Sequence, residues 1–502
     1  MKDIYSFCQG ESHKVTDKPC QDCAYSKSSA TLSMAIVSDG HGGERYFRSQ
    51  IGSQIVVDVI KGAVKKFTEN LSKATLTKNF GKPLFDDMPF VQYPSNPEQV
   101  FTSAQERQNK YIHEAFMTLF SSIIGQWNMK IAADSKRDLT EWELNHVPKE
   151  FQDEFNAKRK DPAATLEKTY GCTFMAYVQT KTYWFAFHLG DGKCVKFDMI
   201  DGKPKFTQPI PWDEKCFLNK TTSICGSDPL SDIRYCYCGN GTFPEAIFLG
   251  SDGIDDSFGD GENLTNFYIQ LYQTLATKGV PKTKEELKAS LPIISQKGSK
   301  DDMSVACVYN ENNLIENNSI LVQYQLSKVE EKCSEINDRI EKLFCDIENY
   351  YSKNKLSEKE KISLYYAECD WRKAVEAEVQ LYKKMSKLGV EKEAPKRELP
   401  TKENIGGSKQ DVSNTDIETL TTTIEKRDAA AIICNQSTES AQNEVEMIAQ
   451  NEVPLEIIEP TPHVEVAECI ESIEDENKLQ ENGSQLSIDF DDAATNTEQK
   501  NK

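Results

Sequence analysis

Asp39, Asp191 and Asp252 each close an apolar run: MAIVS, YWFAFHLG and EAIFLGS. Asp301 and Asp302 precede a fourth run, MSVACVY, and Asp22 lies within CQDCAY. A single aspartate after a strand is ordinary, as a turn former or helix N-cap. Several at strand ends, often beside glycine, imply carboxylates gathered on one side of a sheet. Like charges a few ångströms apart repel and require cations. An oxygen donor set without His or Cys pairs favours Mg2+ or Mn2+ over Zn2+. Two such ions about 3.5–4 Å apart can hold a phosphate for in-line displacement. In VSDGHGG (37–43), Gly40 lets the backbone approach an ion and present its carbonyl, and Gly253 frees the turn after Asp252 in the same way. His41, beside Asp39, is placed to give a proton to a departing alkoxide. Taken alone, it reads as a turn histidine bonded to backbone.

These residues need elements to carry them. MAIVS, FMAYV, YWFAFHLG, EAIFLGS and MSVACVY are short, β-branched or aromatic, and bounded by turn residues, which predicts strands. IGSQIVVDVIKGAVKKF and a segment starting near Ser103, SAQERQNKYIHEAFMTLFSSIIGQW, carry helical periodicity. Strands cluster after residue 170, so the pattern argues α+β layers rather than regular βαβ alternation. Two stretches, 74–100 and 135–168, read as inserted loops or short helices within a domain spanning 1–312.

Beyond residue 312 the chain changes character. Val322, Leu326, Val329, Cys333, Ile336, Ile340, Leu343, Ile347 and Tyr350 follow a 4-3 spacing, a coiled-coil seam. Ser357 with Glu360 forms a capping box for a second helix, and Gly389 is a natural stop. Residues 320–389 therefore form either a helical hairpin packed on its own chain or a coiled coil that recruits a second copy or a partner protein. Residues 390–502 read as a disordered acidic tail. Over 391–502 there are 26 acidic and 10 basic residues, so −16 of the net −21 lies there, and Phe490 is the sole aromatic.

The net charge of −21 argues against nucleic-acid and anionic-lipid partners. No apolar run approaches the roughly 20 residues needed to span a bilayer, and MKDIYSFCQGESHK has no secretory h-region. A reducing, cytoplasmic setting is expected, in which the 15 cysteines stay free. Cys20-Gln-Asp-Cys23 and Cys236-Tyr-Cys238 lack the second pair that a zinc site would need, so buried thiols are the better reading.

Six motifs, in order over residues 1–312, resemble the metal-dependent serine/threonine phosphatases of the PPM (type 2C) family. They are PCQDCAY, in the Gln-Asp form of some bacterial members, VSDGHGG, GCTFMAYV, LGDGKCVKF, FLGSDGIDDSF and SKDDMSVACVY. The resemblance implies an antiparallel β-sandwich flanked by helices, with a binuclear Mg2+ or Mn2+ site at one end. It implies that Asp39 bridges the metals and the Gly40 carbonyl binds one. Asp252 and Asp301 hold the other, Asp22 acts through water, and Asp191 helps hold a third, looser ion. His41 is then the general acid, and a metal-bound hydroxide attacks the phosphoserine or phosphothreonine of a protein substrate. KCFLNKTTSICGSDPLSD (215–232) lies where the family carries a variable flap.

Three departures stand out. No Arg precedes the N-terminal acidic motif to grip phosphate, which leaves Lys14, Lys18 or His13 as replacements. Lysine is a point charge, not a bidentate fork. Asp302 stands where Asn is usual, and Gly192-Lys193 replaces Ser-Arg. The metal carboxylates are all present, which favours an active enzyme. The alternative is a weak or inactive phosphatase-like domain that binds phosphoproteins as a scaffold.

Overall fold

The computed structural model describes residues 1–71, 91–93, 103–161, 163–217, 220–238, 242–259 and 261–401. In chain order the elements are β1 (Lys2–Cys8), α1 (Glu11–Val15), β2 (Cys23–Ser28), β3 (Ser33–Ser38), α2 (Ser49–Leu71), β4 (Val91–Tyr93) and α3 (Ser103–Asp134). Next come α4 (Glu141–His146), α5 (Lys149–Lys158), β5 (Phe174–Gln179), β6 (Trp184–Leu189), β7 (Lys193–Ile200), β8 (Lys203–Thr207), α6 (Pro229–Asp232) and β9 (Arg234–Cys238). The rest are β10 (Ala246–Gly250), α7 (Asp252–Phe258), α8 (Gly261–Lys297), β11 (Met303–Tyr309), α9 (Leu314–Tyr351) and α10 (Glu358–Lys387).

The strands make two antiparallel sheets, ordered β1-β11-β10-β7-β8 and β2-β3-β5-β6-β9-β4. Each of the five expected strands is present, and each is apolar at nearly every position because both its faces are covered. On β3, Met34 and Ile36 pack toward α2 and α3, while Ala35 and Val37 face the other sheet. On β10, Ala246 and Phe248 pack against the α7–α8 side, and Ile247 and Leu249 fill the space between sheets. The period of two is present but both phases are hydrophobic. The result is an α+β sandwich with helices on both outer faces.

Antiparallel pairing gathers the strand ends that matter. Cys23 pairs with Ser38, Cys8 with Met303, Gly250 with Val305 and with Lys193, and Phe174 with Leu189. The turns carrying Asp22, Asp39, Asp191, Asp252 and Asp301 thus leave the sandwich at one end.

Stretch 135–168 contains α4 and α5. Its anchor is Arg48, which is fully buried and donates to both Glu143 oxygens at 2.6 and 3.0 Å and to the Tyr170 hydroxyl at 3.1 Å. The other stretch, 74–100, lies outside the described residues except for β4, which pairs with β9. α8 is interrupted at Gly279 (φ 74°), two residues before Pro281.

α9 belongs to two bodies at once. Its first turns carry Leu314 and Leu321 into the core beneath the first sheet, and Asn317 donates to Glu245 and Tyr272. Farther on, Ile340 and Ile347 pack with Leu364, Trp371 and Ala374 of α10. The seam's partner is therefore the same chain. Ser357 and Glu360 make the expected reciprocal cap, and Gly389 turns with φ 89°. Residues 390–401 lie back along the pair: Arg397 bridges Glu378 and Glu341 at 2.8 Å each. From residue 402 on, the expected acidic tail lies outside the described residues. No helix among the described residues is long and apolar enough to cross a membrane. The 13 described cysteines are free thiols, with Cys236 and Cys238 buried in β9.

Candidate active site

Asp39 leaves β3, Asp252 opens α7, and Asp301 precedes β11. Asp39 and Asp252 lie within hydrogen-bond reach of each other, and both face Asp301. Burial holds the Asp39 carboxyl well above the usual range, and the neighbouring Asp252, Asp22 and Asp301 raise it further. Burial also raises Asp252, with Asp191 and Asp301 adding to it. Asp22 is raised by burial and then by Asp302; the Ser304 and Ser251 hydroxyls face it and oppose the shift. Asp191 is raised by burial, against the opposing contact with Thr221 and the charges of Lys193 and Arg234. All five carboxylates inferred to serve metal are thus in one electrostatic neighbourhood.

Glycines make the crowding possible. A Cβ on Gly40 would sit 2.8 Å from the Gln21 carbonyl and 2.9 Å from that of Ser49. One on Gly253 would lie 2.0 Å from the Asp302 carbonyl. Approach to an ion is one reason for glycine at positions 40 and 253. The structure adds a second reason, the approach of one backbone to another.

Asp302 is buried, and each of its oxygens accepts a backbone N–H, from Gly10 at 2.6 Å and Gln21 at 2.5 Å. His13 Nδ1 lies 2.9 Å from the same carboxylate. The extra negative charge relative to Asn is thus spent on the N-terminal segment, and His13 is spent on Asp302. Lys14 pairs with Glu11 at 3.4 Å. Lys18 alone of the three phosphate-gripping candidates reaches the VSDGHGG loop: its ammonium donates to the Gly42 carbonyl and faces Asp301. Burial lowers the Lys18 pKa, while Asp301, Asp302 and Glu44 support its charge. Lys193 pairs with Asp255 at 3.4 Å and lies over Trp212, 3.7 Å from the ring centroid.

His41 is held on several sides. Its N–H donates to the Gly171 carbonyl at 3.1 Å, and its carbonyl accepts from Ser49 Oγ at 3.0 Å. The Tyr46 ring meets it edge-on at 4.8 Å, and Nε2 lies 2.6 Å from Ser223 Oγ. Burial pushes the imidazole down to about 4. Ser223 comes from the flap-like segment, 182 residues away in sequence. Sequence reasoning placed that segment near the site but had no signal to separate Ser223 from Thr221 or Thr222.

Among the described residues no three His, Cys, Asp or Glu side chains converge as a ready-made metal cluster. The donor set still fits a hard divalent cation. Both Asp22 oxygens and Asp252 Oδ1 are buried without hydrogen-bond partners, and Asp39 faces the carboxylates of Asp252, Asp22 and Asp301. Mg2+ is commonly bound through one or two carboxylates with the remainder water, so a full protein cage is not required.

A sequence model of the family described as Protein phosphatase 2C matches residues 9–292. No curated protein matches the chain. Among solved structures, the chain is similar to a point mutant of a bacterial serine phosphatase, with 13% identity over 62% of this chain and 99% of that one, at a TM-score of 0.33. It is also similar to the catalytic domain of the serine/threonine phosphatase PstP in complex with two manganese ions, with 15% identity, 61% and 96% coverage and a TM-score of 0.32. A third is the S. agalactiae serine/threonine phosphatase, with 14% identity, 62% and 99% coverage and a TM-score of 0.33.

Proposed function

The chain belongs to the protein phosphatase 2C family, and from that premise we propose that it hydrolyses phosphoserine and phosphothreonine in proteins with the help of Mg2+ or Mn2+. The observation that carries the proposal is the carboxylate cluster with orphaned buried oxygens at one end of the sandwich. Asp39, the Gly40 carbonyl, Asp252 and Asp301 would hold two ions, with Asp22 acting through water and Asp191 serving a third. Bound there, the ions supply Lewis-acid activation of water and of the phosphate. Water adds to phosphorus, the P–O bond to the seryl oxygen breaks, and that oxygen takes a proton. Inorganic phosphate and the free hydroxyl are the products.

The chain's own groups divide the remaining work. Lys18 supplies the positive charge that the absent upstream Arg would have given. His41 supplies the proton to the leaving oxygen. An arriving phosphate dianion adds negative charge near the ring, which favours the cationic imidazole against the effect of burial. The reducing, cytoplasmic setting stays part of the same proposal.

The test is hydrolysis of p-nitrophenyl phosphate and a phosphoserine peptide by the full chain. Turnover is expected to depend on added Mn2+, to stop on chelation, and to fall by about 100-fold or more in Asp39→Asn and Asp252→Asn. A pure protein that stays inert with either ion overturns the enzyme reading, and phosphopeptide binding without turnover would instead establish the scaffold.

A further inference from the structure

We propose that Ser223 is a positioning residue for His41: its hydroxyl engages Nε2 and fixes the orientation of the ring, so that Nδ1 is the nitrogen left to protonate the leaving oxygen. The inference rests on the phosphatase reading above and deepens it.

Ser223 Oγ lies 2.6 Å from His41 Nε2 and 3.0 Å from the Cys172 carbonyl oxygen. The Cys172 carbonyl also accepts the Ile224 N–H at 3.1 Å, and Cys225 Sγ lies 3.2 Å from Ser223 Oγ, so beside a neutral ring the hydroxyl hydrogen can serve the carbonyl, the thiol or the ring. In the cationic ring both nitrogens carry protons, and Nε2–H then donates to Ser223 Oγ. The Cys225 backbone N–H also donates to Oγ at 3.3 Å. Among the described residues no hydrogen bond engages Nδ1. When the ring is cationic, Nδ1 holds the transferable proton. As the P–O bond breaks, the seryl oxygen takes it and the ring returns to the neutral Nε2–H form.

The surrounding packing makes the position rigid. A Cβ on Gly171 would lie 2.8 Å from His41 Cδ2 and 2.6 Å from Cys225 Sγ, so the ring and the flap close on a residue without a side chain. The preceding flap residue is anchored independently. Thr222 Oγ1 accepts from the Gly190 N–H at 3.1 Å and donates to Asp213 at 3.0 Å. Arg234 donates to the Gly190 carbonyl at 2.7 Å and to the Pro211 carbonyl at 2.5 Å. Successive residues of the flap therefore hold the turn before Asp191 and the imidazole of His41. A flap that docks well orients both.

Leaving-group dependence tests this, because a proton donor matters most when the departing oxygen is a poor leaving group. The full chain is assayed with Mn2+ on p-nitrophenyl phosphate and on phenyl phosphate. In Ser223→Ala, the ratio of kcat for the nitrophenyl ester to kcat for the phenyl ester is expected to rise about tenfold, a fraction of the whole general-acid effect. In a His41→Ala background, Ser223→Ala should leave that ratio unchanged, since the two act through one group. Ser223→Thr keeps the hydroxyl and should hold the ratio near that of the parent. A purely structural Ser223 would lower kcat for both esters alike, or raise KM, and that result overturns the assignment alone. A ratio that still rises in the His41→Ala background also overturns it. A parent protein without turnover overturns the phosphatase reading, and this assignment with it.

Discussion

Asp302→Asn restores the residue that is usual at this position in the resembled family, and the structure predicts that it destabilises. Asp302 is 2% exposed, and its two oxygens serve two backbone donors, Gly10 N and Gln21 N. An asparagine offers one oxygen. Its amide nitrogen would face the other N–H, leaving a buried donor unpaired at a cost of about 1–3 kcal/mol. The remaining bond changes from charge-assisted to neutral, which costs about 1 kcal/mol more. His13, 2.9 Å away, loses its carboxylate neighbour. One effect opposes these, since removing a negative charge relieves Asp22, whose pKa Asp302 helps to raise. Because Asp22 meets that repulsion by holding its proton to higher pH, only part of it remains to be recovered. The net expectation is a loss of about 2–3 kcal/mol, or roughly 4–6 °C in Tm for a domain of this size. Thermal and urea unfolding of the full chain in EDTA, for parent and variant, measures it with metal occupancy removed. A variant that melts at or above the parent refutes the reasoning, and means that charge repulsion outweighs the two backbone bonds.

Three further outcomes follow from the same geometry. Arg48→Ala strands the buried Glu143 carboxylate and should cost about 3–5 kcal/mol; hydrogen exchange should rise first across 135–160, and uniform loosening of the whole domain would contradict a local anchoring role. Ile347→Ala, fully buried between α9 and α10, should cost about 2–5 kcal/mol and speed exchange in 336–375 while phosphatase turnover stays unchanged; equal loosening of the two sheets would show that the hairpin is not a separable body. Gly253→Ala would place a Cβ 2.0 Å from the Asp302 carbonyl, driving the first turn of α7 and its Asp252 off β11; Mn2+-stimulated turnover should drop at least about tenfold, and a variant with parental Mn2+ response would show that Asp252 does not need that approach.

The sequence by itself determined the ingredients and their order. Apolar runs ending in Asp and Gly marked strand ends, because a strand covered on both faces must be apolar throughout and must turn with small or polar residues. Ser357, Glu360 and Gly389 marked helix ends because capping is a contact between near neighbours. β1, β2, β7, β8 and β9 were harder to read: KDIYSFC and KCVKFDMI mix charge with apolar residues, and only pairing with β11 and β10 makes them strands. Tertiary structure alone decided who meets whom. The seam on α9 had no address until α10 folded onto it. The three candidate phosphate grips were indistinguishable as letters; Asp302 claimed His13, Glu11 claimed Lys14, and Lys18 was left at the VSDGHGG loop. Ser223 reached His41 across 182 residues of chain. Spacing along a sequence encodes contacts that local geometry enforces, whereas contacts between distant turns exist only once antiparallel strands have brought their ends to the same edge.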